Sequence, residues 1–189
     1  MIKQLEKRHV FLALMLISSL VIFLSIRPIS IDPNVKGTLV KQNGSIATID
    51  TVRNPSSTKV FYFDKIDFEN STTLIHKSMG PLGFSNDFFI DFEANMNVRE
   101  VGTYTFSVAS DDGFRLWIDD QQLSEWLGDR PVSATPASVH LTTGRHTFRM
   151  SYFQGYGNLG LKVTYSGQGG STFLLGQSSD QIEFEKYKP

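Results

Sequence analysis

Hydrophobic and polar residues alternate along most of the chain after residue 36, a two-residue period typical of β-strands with one buried face. The clearest example lies within residues 102–119. There Tyr104, Phe106 and Val108 share one face of a first strand, and the same period resumes after the Asp-Asp-Gly at 111–113. The pattern predicts two strands joined at an acidic corner.

The alternation predicts further strands along the chain, separated by turn residues. Together they cover residues 37–40, 45–52, 60–63, 88–92, 103–109, 114–118, 122–126, 138–141, 146–153, 159–165 and 172–175. Many short strands of this kind predict an all-β fold, either a sandwich or a barrel. We expect this domain to span residues 36–176, and the polar segment 177–189 to form a tail that is ordered only in part.

A different pattern precedes this domain. Residues 10–26 form a run of 17 residues without a charged side chain, and basic residues stand before it within residues 1–9. This predicts a transmembrane signal-anchor helix with a cytoplasmic N-terminus, because basic flanks stay on the cytoplasmic side. A cleaved signal peptide is the alternative, but no Ala-x-Ala-like site follows the run. Residues 27–35 hold two prolines and predict a short stalk.

Composition narrows the location and the partners of the predicted domain. The chain has no cysteine, which excludes disulfides and thiolate sites and favours a bacterial envelope protein over an animal ectodomain. We therefore expect a periplasmic or extracellular domain, anchored in a bacterial inner membrane. The net charge is −1, and no basic patch with interleaved aromatic residues points to nucleic acid.

The acidic corner allows two interpretations. Asp111 and Asp112 place two like charges side by side, which is unfavourable unless a partner neutralises them, and Ca²⁺ binds carboxylate oxygens. Alternatively, the Asp-Asp-Gly forms an Asx-type turn in which Gly113 supplies a positive φ. The spacing leaves both interpretations open. Later in the chain, residues 154–158 form a glycine-rich hairpin tip that either binds a ligand or closes a tight turn.

Three motifs together resemble a known family. They are Gly102-Thr-Tyr-Thr-Phe, then Ser110-Asp-Asp-Gly-Phe-Arg-Leu-Trp-Ile-Asp with Trp126 after it, and the strand that begins at Gly144-Arg-His. The combination resembles the fourteen-kilodalton domain of the anthrax toxin protective antigen, a module also found in yeast flocculins and epithelial adhesins. The likeness covers roughly residues 36–166 and implies an antiparallel β-sandwich with twisted, barrel-like sheets.

The resemblance also implies a site. In lectin-like members the paired aspartates, here Asp111 and Asp112, contact Ca²⁺ through a cis peptide, and the metal holds sugar hydroxyls. An asparagine and main-chain carbonyls from the hairpin complete that site. Gln154 stands nearest the place of that asparagine, which is a departure from the family pattern, and Asn158 is the alternative. Tyr156, at the hairpin tip, is then expected to stack on a sugar ring.

These observations lead to one main functional hypothesis, a membrane-anchored carbohydrate-binding module that binds a glycan or polysaccharide and uses calcium. The alternative is a structural or docking subunit of a bacterial envelope complex, for example one for polysaccharide synthesis or export, with a membrane protein as partner. We do not expect an enzyme, because glycosidic carboxyl groups stand about 5 to 9.5 Å apart across a bond, whereas Asp111 and Asp112 are neighbours. The four histidines show no metal-ligand spacing.

Overall fold

The computed structural model describes residues 9, 11–12, 14–19 and 31–188. The chain divides into two units, Met1–Ser30 and Ile31–Pro189. In the first unit the described residues are helical, but much of the predicted membrane helix (10–26) and of the predicted stalk (27–35) lies outside the described residues. Within the described part of the chain, no helix is long and apolar enough to cross a membrane.

The second unit consists of short antiparallel strands. In chain order they are β1 (Val35–Gln42), β2 (Pro55–Phe63), β3 (Ile75–His76), β4 (Gly80–Pro81), β5 (Phe88–Val98), β6 (Gly102–Asp111), β7 (Phe114–Ile118), β8 (Gln121–Trp126), β9 (Ser133–Leu141), β10 (Gly144–Gln154), β11 (Gly160–Ser166), β12 (Thr172–Leu174) and β13 (Ile182–Phe184). The larger sheet has the order β2-β1-β5-β10-β7-β8, with β13 paired to β5. The smaller sheet has the order β12-β11-β6-β9, and β3 pairs with β4.

The two sheets pack face to face, as the alternation predicts. Phe106 and Val108 of β6 lie in the same buried core as Phe148 and Met150 of β10, and the rings of Phe106 and Phe148 are 6.3 Å apart. Each of these side chains is at most 1 % exposed, so their burial removes a large apolar area from water. The all-β sandwich prediction is confirmed. Among the described strands the two sheets do not join into a closed barrel, so the barrel-like description does not apply.

One predicted strand, at 45–52, is wrong. This segment is a loop that lies over the outer face of the larger sheet, where Ile46 and Ile49 pack with Phe89 and Phe153 in a second small cluster. The apolar side chains of this segment are buried against the face of the sheet, and the segment does not pair as a strand. The loop places its apolar side chains directly behind the end of β10.

The predicted C-terminal tail also differs from the structure. Ile182–Phe184 forms β13, which pairs with the end of β5, and Ile182 and Phe184 are buried in the main core. Polar residues surround these two apolar positions, so the segment is too short to show a clear period in the sequence. The domain core therefore extends beyond residue 176.

Candidate functional site

The acidic corner lies where β6 leaves the smaller sheet and the chain enters the larger one. Asp111 is the last residue of β6, and Phe114 is the first residue of β7. A cis peptide bond joins Asp111 to Asp112, as the family resemblance implies. The sequence thus locates the corner correctly.

Two glycines allow other segments to approach this corner closely. A Cβ atom on Gly113 would lie 2.5 Å from the carbonyl oxygen of Trp126, and one on Gly155 would lie 2.7 Å from the carbonyl oxygen of Ile46. Gly113 does not have the positive φ that the turn interpretation assigns to it. It is glycine because the main chain of the next loop leaves no space for a side chain.

Asp112 is a buried carboxylate with incomplete hydrogen bonding. It is only 2 % exposed. Its Oδ2 accepts a hydrogen bond of 2.8 Å from the main-chain N–H of Gly155, whereas its buried Oδ1 has no hydrogen-bond partner among the residues that the structure describes. A buried oxygen of this kind is costly unless a donor or a cation approaches it.

The carboxylates of neighbouring acidic residues make a negative charge on Asp112 still less favourable. Burial raises the pKa of Asp112 to about 7, and the nearby carboxylates of Asp129 and Asp111 act in the same direction, against the N–H of Gly155. Burial also raises the pKa of Asp111, and the nearby carboxylate of Asp129 acts in the same direction. The corner is therefore an electronegative site whose charge the protein itself does not fully compensate.

The end of β10 is tied to the corner by side-chain hydrogen bonds. The Tyr152 hydroxyl lies within hydrogen-bond distance of the Asp111 carbonyl oxygen and, at 2.9 Å, of Gln154 Oε1. A phenol has one proton to donate, so one of these two oxygens is left without it. Gln154 is fully buried, and its Nε2 donates to the Asn158 carbonyl oxygen at 2.9 Å.

The structure therefore brings the predicted ligand residues together but gives them different surroundings. Asp111, Asp112 and Gln154 join one hydrogen-bonded group, and the Gln154 amide closes the hairpin that leads to Asn158. The side chain of Asn158 is exposed, and Tyr156 at the tip is 87 % exposed. Tyr156 and Asn158 thus project into solvent from a base that Asp112 and Gln154 hold.

Sequence reasoning assigned no role to Arg130, which supports the corner from below. Its guanidinium is buried, donates to Ser110 Oγ at 2.7 Å and to the Ser110 carbonyl at 3.2 Å, and lies over the rings of Phe114 and Trp126. Ser110 Oγ in turn donates to the Asp112 carbonyl at 2.6 Å. Only the position of Arg130, in a loop close to the corner in sequence, hinted at this contact.

Other candidate groups have structural roles. His146 is almost buried, and its two ring nitrogens contact Asp119 Oδ2 and the Thr142 carbonyl. Trp117 lies on the outer face of the larger sheet, half-buried beside Arg149. Over residues 31–188, no three acidic or histidine side chains form a metal-binding group. A cation at the corner would need amide or main-chain oxygens as well.

Comparison with known proteins agrees with this geometry. The sequence model of the PA14 domain matches residues 49–178. No curated protein sequence matches the chain. Among solved structures, a PA14 sugar-binding domain from an RTX adhesin aligns at 19% identity with a TM-score of 0.61, over 75% of this chain and 93% of that one.

Two further solved structures share the fold. The PA14 domain of the MpAFP antifreeze protein aligns at 19% identity with a TM-score of 0.60, over 80% of this chain and 91% of that one. The A domain of Epithelial Adhesin 6 from Candida glabrata, solved with Galβ1-3GlcNAc, aligns at 10% identity with a TM-score of 0.57, over 80% of this chain and 86% of that one. The resemblance drawn from the sequence motifs is confirmed, and the chain belongs to the PA14 domain family.

Proposed function

We propose that this protein is a carbohydrate-binding module that holds a glycan through Ca²⁺ at the corner of Asp111 and Asp112. The observation that supports this most strongly is the carboxylate of Asp112, which is buried beside a second acid and whose Oδ1 has no partner within the described part of the chain. A divalent cation would match that charge and fill the missing contact. A simple turn would not require a buried, uncompensated carboxylate.

The residues present fit such a cation. Asp111 and Asp112 offer carboxylate oxygens, and Asn158 offers an exposed amide next to the corner. The single proton of Tyr152 leaves either the Asp111 carbonyl or Gln154 Oε1 free to act as a further oxygen ligand. These are the hard oxygen donors that Ca²⁺ prefers. Calcium bound there would supply a positive charge for sugar hydroxyls.

The hairpin tip provides the sugar contact in this proposal. The ring of Tyr156 is almost fully exposed. An aromatic ring in this position contributes no burial energy until a partner covers it. An aromatic face packs well on the C–H face of a sugar ring, and its hydroxyl can bond to water or to the sugar. Solved relatives of the same fold include a sugar-binding domain and an adhesin bound to Galβ1-3GlcNAc.

We further propose that residues 10–26 anchor the domain in a membrane, with the sandwich on the extracytoplasmic side of a bacterial inner membrane. The uncharged run and the basic residues before it support this arrangement. We propose no catalytic role. The structure places the paired carboxylates at one corner, which suits one shared ion better than the two faces of a glycosidic bond.

The test is retention on a printed panel of neutral glycans in calcium and in a chelator. The proposal predicts binding in calcium only, loss of that binding in Asp112→Asn, and weakened binding in Tyr156→Ala. Exposed Asp180 provides the control substitution Asp180→Asn, which should bind like the natural protein. Binding that survives chelation would contradict the calcium role. If no glycan is retained under any condition, the docking-subunit alternative takes the place of this proposal.

A further inference from the structure

A groove runs along the outer side of the smaller sheet, next to the acidic corner. Its volume is about 330 Å³, at the lower end of the roughly 300 to 1,000 Å³ range of small-ligand sites. Its floor includes Ala109 and Gly160, and one wall is the segment 67–70. No part of the site described above uses these residues.

The groove is continuous with the corner. Gly160 stands opposite Asp111 in the pairing of β6 with β11, and both Gly160 and Val132 line the groove. A Cβ atom on Gly160 would lie 2.8 Å from Val132 Cγ2, so the Val132 side chain packs directly over this buried glycine. A chain of sugar units that starts at Asp111 would reach the groove past the exposed side chain of Val132.

The wall of the groove is held in place by the main chain. Phe68 N–H donates to the Leu161 carbonyl at 2.8 Å, and Ser71 and Leu159 exchange two hydrogen bonds of 3.0 and 2.8 Å. The main chains of Asp67 and Lys162 also pair in an isolated antiparallel β-bridge. The groove therefore exists before a ligand binds, which reduces the ordering cost of binding.

The polar groups suit a neutral ligand with many hydroxyls. Lys77 and Lys162 carry two positive charges, and Asp67 and Glu69 carry two negative ones, so the lining has no net charge. Asp67 meets the Lys77 ammonium at 3.2 Å, whereas Lys162 has no acidic partner within ion-pair distance among the residues the structure describes. Exposed Lys162, Glu69 and Asn70 offer both donors and acceptors, and Val132, 41 % exposed, adds an apolar contact.

We infer that this groove binds the second sugar ring of a neutral oligosaccharide whose first ring is held at the corner. The inference rests on the proposed function and adds a preference for ligand length. A monosaccharide reaches the corner alone, whereas a disaccharide or longer glycan gains the contacts of the groove.

The experiment compares affinities, measured in calcium, for a panel of neutral mono-, di-, tri- and tetrasaccharides that share the same terminal sugar. Ala109→Leu fills the floor of the groove. It should lower the affinity for the longer glycans by about tenfold and leave monosaccharide binding unchanged. Ser107→Leu is the control, because Ser107 lies on the same face of β6, two residues farther from the corner and outside the groove. Lys162→Ala tests the same site without adding bulk.

The outcomes separate this inference from the proposed function. If the natural protein binds mono- and oligosaccharides equally, or if both Ala109→Leu and Lys162→Ala keep full oligosaccharide affinity, the groove inference is wrong while corner binding stands. If no glycan in the panel binds, both the proposed function and the groove inference fail. Length-dependent binding that Lys162→Ala weakens supports the groove even if Ala109→Leu does not fold.

Discussion

At the scale of single residues, Asp112 concentrates the chemistry of this protein. Its carboxylate is shielded from water and lies near two other acids, yet among the described residues only the Gly155 N–H donates to it. Burial in such a place favours the protonated form. Proton and cation are therefore alternative partners for the same buried oxygen atoms.

The pH dependence of stability tests this environment in protein freed of metal. Asp112 has a folded-state pKa of about 7, well above the unfolded value of about 3.9. Between these values the folded protein keeps a proton that the unfolded chain has lost. The contribution of Asp112 to stability is thus full below about pH 4 and is lost as the pH rises to about 7.

We therefore expect Asp112→Asn, which is neutral at every pH, to raise the Tm above that of the natural protein at pH 7.5 in chelator. The difference should shrink toward pH 4, as followed by thermal unfolding across the pH range. Asp180→Asn should show no such difference. A difference that is absent at neutral pH, or that grows in acid, would contradict the burial argument.

The sequence predicted the corner but not its support. Asp111 and Asp112 stand out because they are adjacent and end an alternating strand. Arg130 and Tyr152 reach the corner from 20 and 41 residues away along the chain. A loop arginine and a core-facing tyrosine carry no local mark of such contacts, because only the folded arrangement of β6, β10 and the loop before β9 creates them.

At the scale of elements, the hairpin from Gln154 to Asn158 depends on close packing under Gly155. Gly155→Ala would place a Cβ atom 2.7 Å from a main-chain oxygen, and overpacking of this kind costs about 1 to 3 kcal/mol. The displaced Gly155 N–H would also leave Asp112. We expect lower stability in urea and weaker calcium binding by calorimetry.

Gly102→Ala is the matched control for this substitution. Its Cβ atom would lie 2.7 Å from Gln168 Nε2, the end of an exposed flexible side chain that can move away. Stability and calcium affinity should stay near those of the natural protein. Equal effects of the two substitutions would show that the hairpin is not held as described.

Strand β13 supplies a second test at this scale. Ile182 is fully buried, and Ile→Ala in a core costs about 2 to 5 kcal/mol. Val60 on the edge strand β2 is 50 % exposed, so Val60→Ala should change stability by less than about 0.5 kcal/mol. Urea unfolding of both variants measures this, and a small effect of Ile182→Ala would place β13 outside the cooperative core.

The strands show what a period can and cannot predict. Alternation located the central strands because both sheets bury one face and leave the other to solvent or loops. It failed at 45–52, where Ile46 and Ile49 lie three residues apart and cover the outer face of a sheet without forming a strand. It also missed β13, because three residues are too few to establish a period.

At the scale of the whole molecule, the two units lead to a prediction about location. If residues 10–26 anchor the chain, the full-length protein should sediment with membranes and resist extraction by salt and alkali. A chain that starts at residue 31 should be found in the soluble fraction and unfold in one cooperative transition. Full-length protein in the soluble fraction would contradict the anchor, and aggregation of the shortened chain would indicate that the sandwich needs a membrane neighbour.

The most direct test of the central claim is calorimetric titration of Ca²⁺ into the purified, metal-stripped full-length protein, beside the double variant Asp111→Asn, Asp112→Asn. The substitutions keep the size of both side chains and remove their charge. We predict saturable binding of one calcium ion by the natural protein and none by the variant. Absence of binding in the natural protein, or equal binding in both, would contradict a calcium site at the acidic corner.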